Sequence, residues 1–265
     1  MENDILLIER KDHIATLVLN RPEKRNSLSP DLLIRLHQAI EEFRHDDEVR
    51  CLVIRGSGNK SFSSGYDIAS IPTKIDTEVA EKLKSKNPQE LAMGSVLNYP
   101  YPTIAMLNGY AFGAGCELAV CCDIRIAGDH IRMGVPPAKL GLVYPLDGIM
   151  RFVQILGLPL TRELLFTGRF YDAPQVREMG LVNHMVPLEE LESFTYGLAE
   201  EIAGNAPMSL KGTKRILGIL ARSVQIDEAD RRAAEAIVAE AFNSEDLKEG
   251  QLSFLEKRKP VFKGR

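Results

Sequence analysis

A chain of 265 residues with 37 acidic and 33 basic side chains carries a net charge of −4, and its 45% hydrophobic and 26% charged fractions are those of an ordinary globular protein. Such a length buries a substantial core without disulfide or metal staples, and suits one large domain or a domain with a helical appendage. Nothing in it forms the basic patch of a nucleic-acid binder, the charged start Met1–Arg10 lacks the apolar core of a signal peptide, and Asn108, Glu117 and clustered glycines make Thr103–Cys122 a strand-turn-helix rather than a membrane span.

In chain order, Ile5–Ile8 and Ile14–Leu19 flank Lys11-Asp12 and predict a β-hairpin. Ser29-Pro30-Asp31 opens a helix, with Ser as N-cap and Pro at the first position. Leu32, Leu33, Leu36, Ala39, Ile40 and Phe43 form its buried stripe. Cys51–Arg55 is an apolar strand ended by Gly56-Ser57-Gly58-Asn59, and this β-α-β order points to an α/β fold. Phe62–Ile68 is a glycine turn ahead of a helix start, and Thr77–Asn98 reads as one charged helix with weak boundaries. Strands follow over Thr103–Leu107 and Ile124–Ala127, Gly134-Val135-Pro136-Pro137 interrupts regular structure, and the loop Leu140–Pro145 leads into a helix capped by Asp147. Asp172-Ala173-Pro174 starts a short helix that Gly180 ends before a strand over Leu181–Val186. From Leu188 onward only helices are predicted: Leu188–Asn205, Pro207–Ala221, Asp227–Phe242 and Glu245–Lys257. The chain therefore divides into a mixed core over 1–187 and a helical region, suited to oligomerisation, over 188–265.

The stretch richest in chemistry is Gly109–Leu118, with three glycines (Gly109, Gly113, Gly115) ahead of a single carboxylate, Glu117, in an apolar helix. Glycine lets backbone approach a ligand closely, and a helix start presents unpaired N–H groups with positive dipole character. Glu117, three residues after Ala114, shares a helix face with the Ala114 N–H, so an anion-stabilising donor and an acid/base carboxylate face one pocket. A carboxylate inside such a run is seldom buried without purpose. The four cysteines (Cys51, Cys116, Cys121, Cys122) have no metal-ligand spacing and fit buried packing in a reducing, cytoplasmic setting. The five histidines are scattered without metal spacing, Cys116 and Ser64 have no histidine partner, and the dinucleotide fingerprint is absent.

Several motifs in order resemble the crotonase (enoyl-CoA hydratase/isomerase) superfamily over nearly the whole length: Asn20–Leu28, Phe62–Ile68, Asn108–Leu118, Cys122–Ala127, Thr167-Gly168, Gly180–Asn183 and Phe254–Pro260. The resemblance implies a spiral of β-β-α units with a C-terminal all-α region, assembled as homotrimers or dimers of trimers. It implies a CoA thioester substrate, with CoA part of that substrate and no prosthetic group. It also implies that the backbone N–H groups of Tyr66 and Ala114 hold the thioester oxygen as it becomes an enolate. By the same likeness Lys24 and Arg25 lie near the nucleotide, Ser64 and Ile68 along the adenine, and Phe254 and Lys257 reach a neighbouring subunit's CoA.

The pattern breaks in two places. The family's hydratases carry a second glutamate in a Gly-x-Pro-Glu segment, whereas here Pro137 ends Gly134-Val135-Pro136-Pro137. Tyr144 resembles the tyrosine of methylmalonyl-CoA decarboxylases, which positions a departing carboxylate; the alternative is a tyrosine that hydrogen-bonds its own loop. Tyr66 stands where hydratases have a small residue, which implies a short or polar-branched acyl group. Three readings follow: a lyase or isomerase of short enoyl-CoA thioesters with Glu117 as acid/base, a decarboxylase of a 2-carboxyacyl-CoA using Tyr144, and a non-catalytic CoA-binding protein.

Overall fold

The hairpin forms between β1 (Leu6–Lys11) and β2 (Ile14–Leu19), antiparallel and in register from Leu6 opposite Leu19 to Lys11 opposite Ile14. It edges the fold in a computed structural model that describes residues 4–68, 87–221 and 226–264. Helix α1 (Pro30–Phe43) begins as its sequence dictates, with the Ser29 hydroxyl accepting from the Leu32 N–H at 3.3 Å. Its Leu32, Leu33, Leu36, Ala39 and Ile40 are buried.

From there the chain alternates between two sheets. Strands β3 (Cys51–Gly56), β5 (Thr103–Leu107) and β7 (Ile124–Gly128) join the first sheet, in the order β1-β2-β3-β5-β7-β10, with β10 over His184–Val186. The strand after each of the first three enters the second sheet: β4 (Ser61–Ser63), β6 (Tyr110–Phe112) and β8 (Arg132–Gly134), which is closed by β9 (Tyr171–Asp172). Neighbours are parallel from β2 to β10 in the first sheet and from β4 to β8 in the second. This is the β-β-α spiral expected from the sequence, with the pairs β3–β4, β5–β6 and β7–β8 each giving one strand to each sheet.

The inner strands β2, β3, β5 and β7 of the first sheet are buried on both faces, which is why they read as largely apolar runs rather than alternating ones. Leu52 and Ile54 of β3, and Ala105 and Leu107 of β5, point into the main core; Val53, Ile104 and Met106 point into a second cluster on the other face. That second face is covered by Leu191, Ala199 and Ala203 of α6 (Leu191–Ala203), so the first C-terminal helix closes the sheet instead of standing apart from it. The other helices are α2 (Pro88–Leu97), α3 (Ala114–Cys121), α4 (Leu146–Thr167), α5 (Ala173–Glu178), α7 (Pro207–Ala221), α8 (Glu228–Asn243) and α9 (Glu245–Leu255). Among the described residues no helix is long and apolar enough to cross a membrane.

Four expectations change. Helix α2 starts at Pro88 behind an Asn87 cap, because proline fits a first turn and not an interior; residues 77–86 lie outside the described residues. Asp147 does not cap α4: the cap position is Pro145, and Asp147 pairs with Arg231 of α8 at 3.2 Å. The strand predicted over Leu181–Val186 is only β10, because Asn183 turns to exchange hydrogen bonds with the backbone of Arg125. A short strand, β6, stands between Gly109 and the helix where a turn alone was expected.

Helix α9 packs on the 3-10 turn Pro137–Leu140 through two glycines. A Cβ at Gly141 would lie 2.6 Å from Asp246 backbone, and one at Gly250 would collide with the Leu140 carbonyl. Alanine in a free helix position gains about 1 kcal/mol over glycine, whereas overpacking costs about 1–3 kcal/mol. Gly250→Ala is therefore expected to lower stability in urea denaturation; a gain would show that this close contact is absent.

Candidate active site

Parallel strands β4, β6 and β8 lie side by side, so the turns that leave their C-terminal ends are neighbours. Open α/β sheets collect ligand-binding groups at this end of their strands. After β4 comes Ser64-Gly65-Tyr66, after β6 Gly113-Ala114, and after β8 Val135-Pro136-Pro137. Gly65 has φ +97° and Gly113 φ +51°, conformations that side-chain-bearing residues rarely adopt. A Cβ at Gly65 would sit 2.7 Å from the Phe112 carbonyl oxygen and 3.5 Å from the Ala114 nitrogen, so the two turns touch.

The bridge between Leu28 and Tyr66 uses the N–H and C=O of Leu28, which bond Gly65 O at 2.8 Å and the Asp67 N–H at 3.0 Å. The Tyr66 N–H is left over. The Ala114 N–H is left over as well, because it opens α3 and has no carbonyl a turn below it. Among the described residues neither has a protein acceptor. Arg21 braces the first turn, bonding Ser27 O at 2.8 Å and Asp67 at 3.1 Å.

One turn along α3, Glu117 is fully buried. Its Oε2 accepts from Gln89 Nε2 at 2.7 Å and from the Tyr144 hydroxyl at 2.6 Å, and its Oε1 accepts from Arg151. Arg151, itself buried on α4, also grips Glu90 of α2 with both nitrogens, at 2.6 and 3.2 Å. Gly148 makes room for this cluster, since a Cβ there would lie 2.6 Å from the Tyr144 ring and 3.2 Å from Glu117 Oε1.

Burial pushes the Glu117 carboxyl above the ordinary carboxylate range, against the Arg151 guanidinium and the Tyr144 hydroxyl, which pull it down. Burial would lower Arg151, but its hydrogen bonds to Glu90 and the charge of Glu117 hold it well above its usual value. The Tyr144 phenol is raised well above its usual value, first by burial and then by Glu117 beside it. Arg151 is thus charged in every relevant state, and the proton equilibrium of the cluster belongs to Glu117.

The sequence singled out Glu117, Tyr66, Ala114 and Tyr144, and the structure brings Glu117 and Tyr144 into direct contact beside the two glycine turns. The Tyr144 hydroxyl goes to Glu117 and not to its own loop. Lys24, Arg25 and Ser64 also meet, since Ser64 N donates to Arg25 O at 3.0 Å and Ser64 Oγ to Lys24 O at 3.3 Å; Ile68 lies further along the chain, past the bridge at Tyr66. Phe254 and Lys257 lie at the exposed end of α9. Sequence reasoning missed Gln89, Glu90, Gly148 and Arg151; the available signal was a lone arginine in the apolar run Ile149-Met150-Arg151-Phe152-Val153. Burial pushes the Cys116 thiol up to about 12, which leaves it inert as a nucleophile. Among the described residues no cluster of three histidine, cysteine or carboxylate side chains is placed to hold a metal.

The sequence matches the family described as Enoyl-CoA hydratase/isomerase over residues 9–265. It is 33% identical to the short-chain-enoyl-CoA hydratase of Clostridium acetobutylicum across 98% of this chain and 97% of that one. It is 32% identical to the crotonyl-CoA hydratase of Syntrophomonas wolfei across 99% of each. In structure it matches a methylmalonyl-CoA decarboxylase complexed with 2S-carboxypropyl CoA, with TM-score 0.92, 30% identity and 100% of both chains covered.

Gly148→Ala would drive the Tyr144 ring off Glu117. With no tryptophan in the chain, near-ultraviolet circular dichroism reports largely on its seven tyrosines. A changed tyrosine band and a stability loss of about 1–3 kcal/mol are expected; an unchanged band would show that the Tyr144–Glu117 contact does not depend on this space.

Proposed function

This chain belongs to the enoyl-CoA hydratase/isomerase family, also called the crotonase family, and we propose that it converts a short acyl-CoA thioester through an enolate held by the N–H groups of Tyr66 and Ala114. It is an enzyme of that family's lyase and isomerase class. The observation that carries the mechanism is the pair of unpaired N–H groups on touching glycine turns, one turn of helix from a buried carboxylate. A thioester oxygen lodged between them gains negative charge as the enolate forms, and preorganised donors stabilise that charge without reorganising. Losing one such donor slows a reaction by about 100- to 1,000-fold.

The surroundings of Glu117 bear on which reaction feeds the enolate. Addition of water to an enoyl thioester is served by two carboxylates that hold and activate one water. Here Pro137 stands at the second position, and both oxygens of Glu117 are engaged by Gln89, Tyr144 and Arg151. Loss of CO₂ from a 2-carboxyacyl-CoA needs no base: the breaking C–C bond supplies the electron pair, the oxyanion donors receive the charge, and the enolate carbon then takes a proton. Decarboxylation is therefore the reaction this geometry supports best, and the match to a methylmalonyl-CoA decarboxylase agrees with it. Tyr144, on the loop that enters α4 and with its hydroxyl held by Glu117, is the residue whose ring is assigned to position the departing carboxylate. Hydration or isomerisation, the first reading of the sequence, has its own support in the names of the curated relatives, with Glu117 as the single acid/base. A non-catalytic CoA-binding role fits poorly with a buried, fully engaged carboxylate beside free donors.

The junction of Lys24, Arg25 and Ser64, with Ile68 beyond it, is the proposed seat of the CoA moiety, with Phe254 and Lys257 reaching the CoA of a neighbouring copy. A homotrimer or dimer of trimers is supported by Met208, Ile216, Ile219, Ile237 and Leu255, each of which is more than half exposed.

Incubation with crotonyl-CoA and methylmalonyl-CoA together, read by mass spectrometry, separates the reactions. Propionyl-CoA is expected, and its formation is expected to survive Glu117→Gln. Hydroxybutyryl-CoA as the sole product, abolished by Glu117→Gln, would establish hydration instead. Formation of neither product would overturn the assignment to short substrates of these two kinds.

A further inference from the structure

Arg151 has a geometry that a simple structural ion pair does not require. Its guanidinium is shared between two carboxylates of opposite exposure: Glu117, fully buried, and Glu90, one third exposed. The Glu90 side is bidentate, so the plane of the fork is fixed, and the nitrogen turned toward Glu117 has a set direction. The other two donors on Glu117, Gln89 and Tyr144, are neutral. From these contacts, we infer that Arg151, aimed by Glu90, is the positioning residue that keeps Glu117 a carboxylate and thereby fixes Tyr144 as the donor of the Tyr144–Glu117 hydrogen bond.

The direction of that bond decides what the pocket presents. An ionised Glu117 can only accept, so the Tyr144 proton lies on the Glu117 side and the phenol oxygen keeps its lone pairs for other partners. A protonated Glu117 can donate to Tyr144 and turn the phenol hydrogen elsewhere. Without Arg151 the neutral form is favoured, because burial opposes the charge and the nearby Glu90 adds a like charge. The groups that face Glu117 are Arg151 from α4, Tyr144 from the loop before it, Gln89 and Glu90 from α2, and the Cys116 and Cys121 thiols of its own helix. Burial keeps both thiols protonated, Cys116 up to about 12 and Cys121 well above its usual value, so neither competes in the range where Glu117 titrates.

The inference rests on the assignment of the Glu117 pocket as the active site, and its test needs no turnover. The full chain is labelled with ¹³C at glutamate side-chain carboxyls and titrated by NMR, with the Glu117 signal identified by its loss in Glu117→Gln. In the wild type Glu117 is expected to be ionised at neutral pH. Arg151→Gln should move its midpoint up by about one to three pH units, the effect of removing an opposite charge at contact distance. Glu90→Gln removes a like charge while its amide oxygen still accepts from Arg151, and should move the midpoint down; Arg151→Lys should restore most of the wild-type midpoint while losing the fork. A bridge that only ties α2 to α4, without setting the charge of Glu117, would leave that midpoint unmoved in both variants. A protonated Glu117 at neutral pH, an Arg151→Gln midpoint equal to the wild type's, or an upward shift in Glu90→Gln would each overturn the inference. Should Arg151→Gln fail to fold, the wild-type and Glu90→Gln titrations still decide it. Failure to turn over any acyl-CoA would count against the proposed reaction and leave these titrations unaffected.

Discussion

A buried carboxylate that meets a buried guanidinium, Glu117 with Arg151, is the contact on which the pocket depends. Burying either charge alone is strongly unfavourable, and breaking such a pair by removing one partner costs about 3–5 kcal/mol. The pair also joins elements distant in sequence. Glu117 is on α3, Arg151 on α4, Glu90 and Gln89 on α2, and Tyr144 on the loop entering α4. Three helices and a loop are thus held around one charge cluster.

The second sheet supplies the other half of the site. Parallel pairing of β4, β6 and β8 is what brings two glycine turns into contact, and the positive φ of Gly65 and Gly113 lets the chain leave each strand with a free N–H. Gly113 N bonds Gly134 O at 2.8 Å, which ties the second turn to the third strand. Backbone donors placed this way are independent of side-chain identity, so Tyr66 can offer its N–H while its half-buried ring packs against the core. The chemistry available is correspondingly specific. Fixed donors await charge at a thioester oxygen, while the carboxylate nearby is engaged on both oxygens.

The fold was legible in the sequence where local chemistry is self-sufficient. Ser29-Pro30 starts a helix because cap and proline act within one turn, and Asp172 with Gln175 forms a capping box for the same reason. Glu117 stood out because an acid in an apolar run has few structural explanations. What the sequence hid depends on distance along the chain. Arg151 and Glu90 are 61 residues apart, and neither has a local pattern that reveals the other. Asp147 reads as a cap, yet its partner is Arg231, which lies 84 residues further on. The β6 strand was missed because Tyr110–Phe112 acquires its role only by pairing with β4 and β8.

The central claim is that the Tyr66 and Ala114 N–H groups receive a thioester oxygen while Glu117 stays bound to Arg151. A crystal structure with a CoA ester that mimics the enolate tests it most directly. The account predicts the mimic's oxygen at about 2.7–3.1 Å from both backbone nitrogens, with the Glu117–Arg151 and Glu117–Tyr144 contacts intact. An oxygen lodged elsewhere, or a Glu117 released from Arg151 to contact the acyl group, would contradict it.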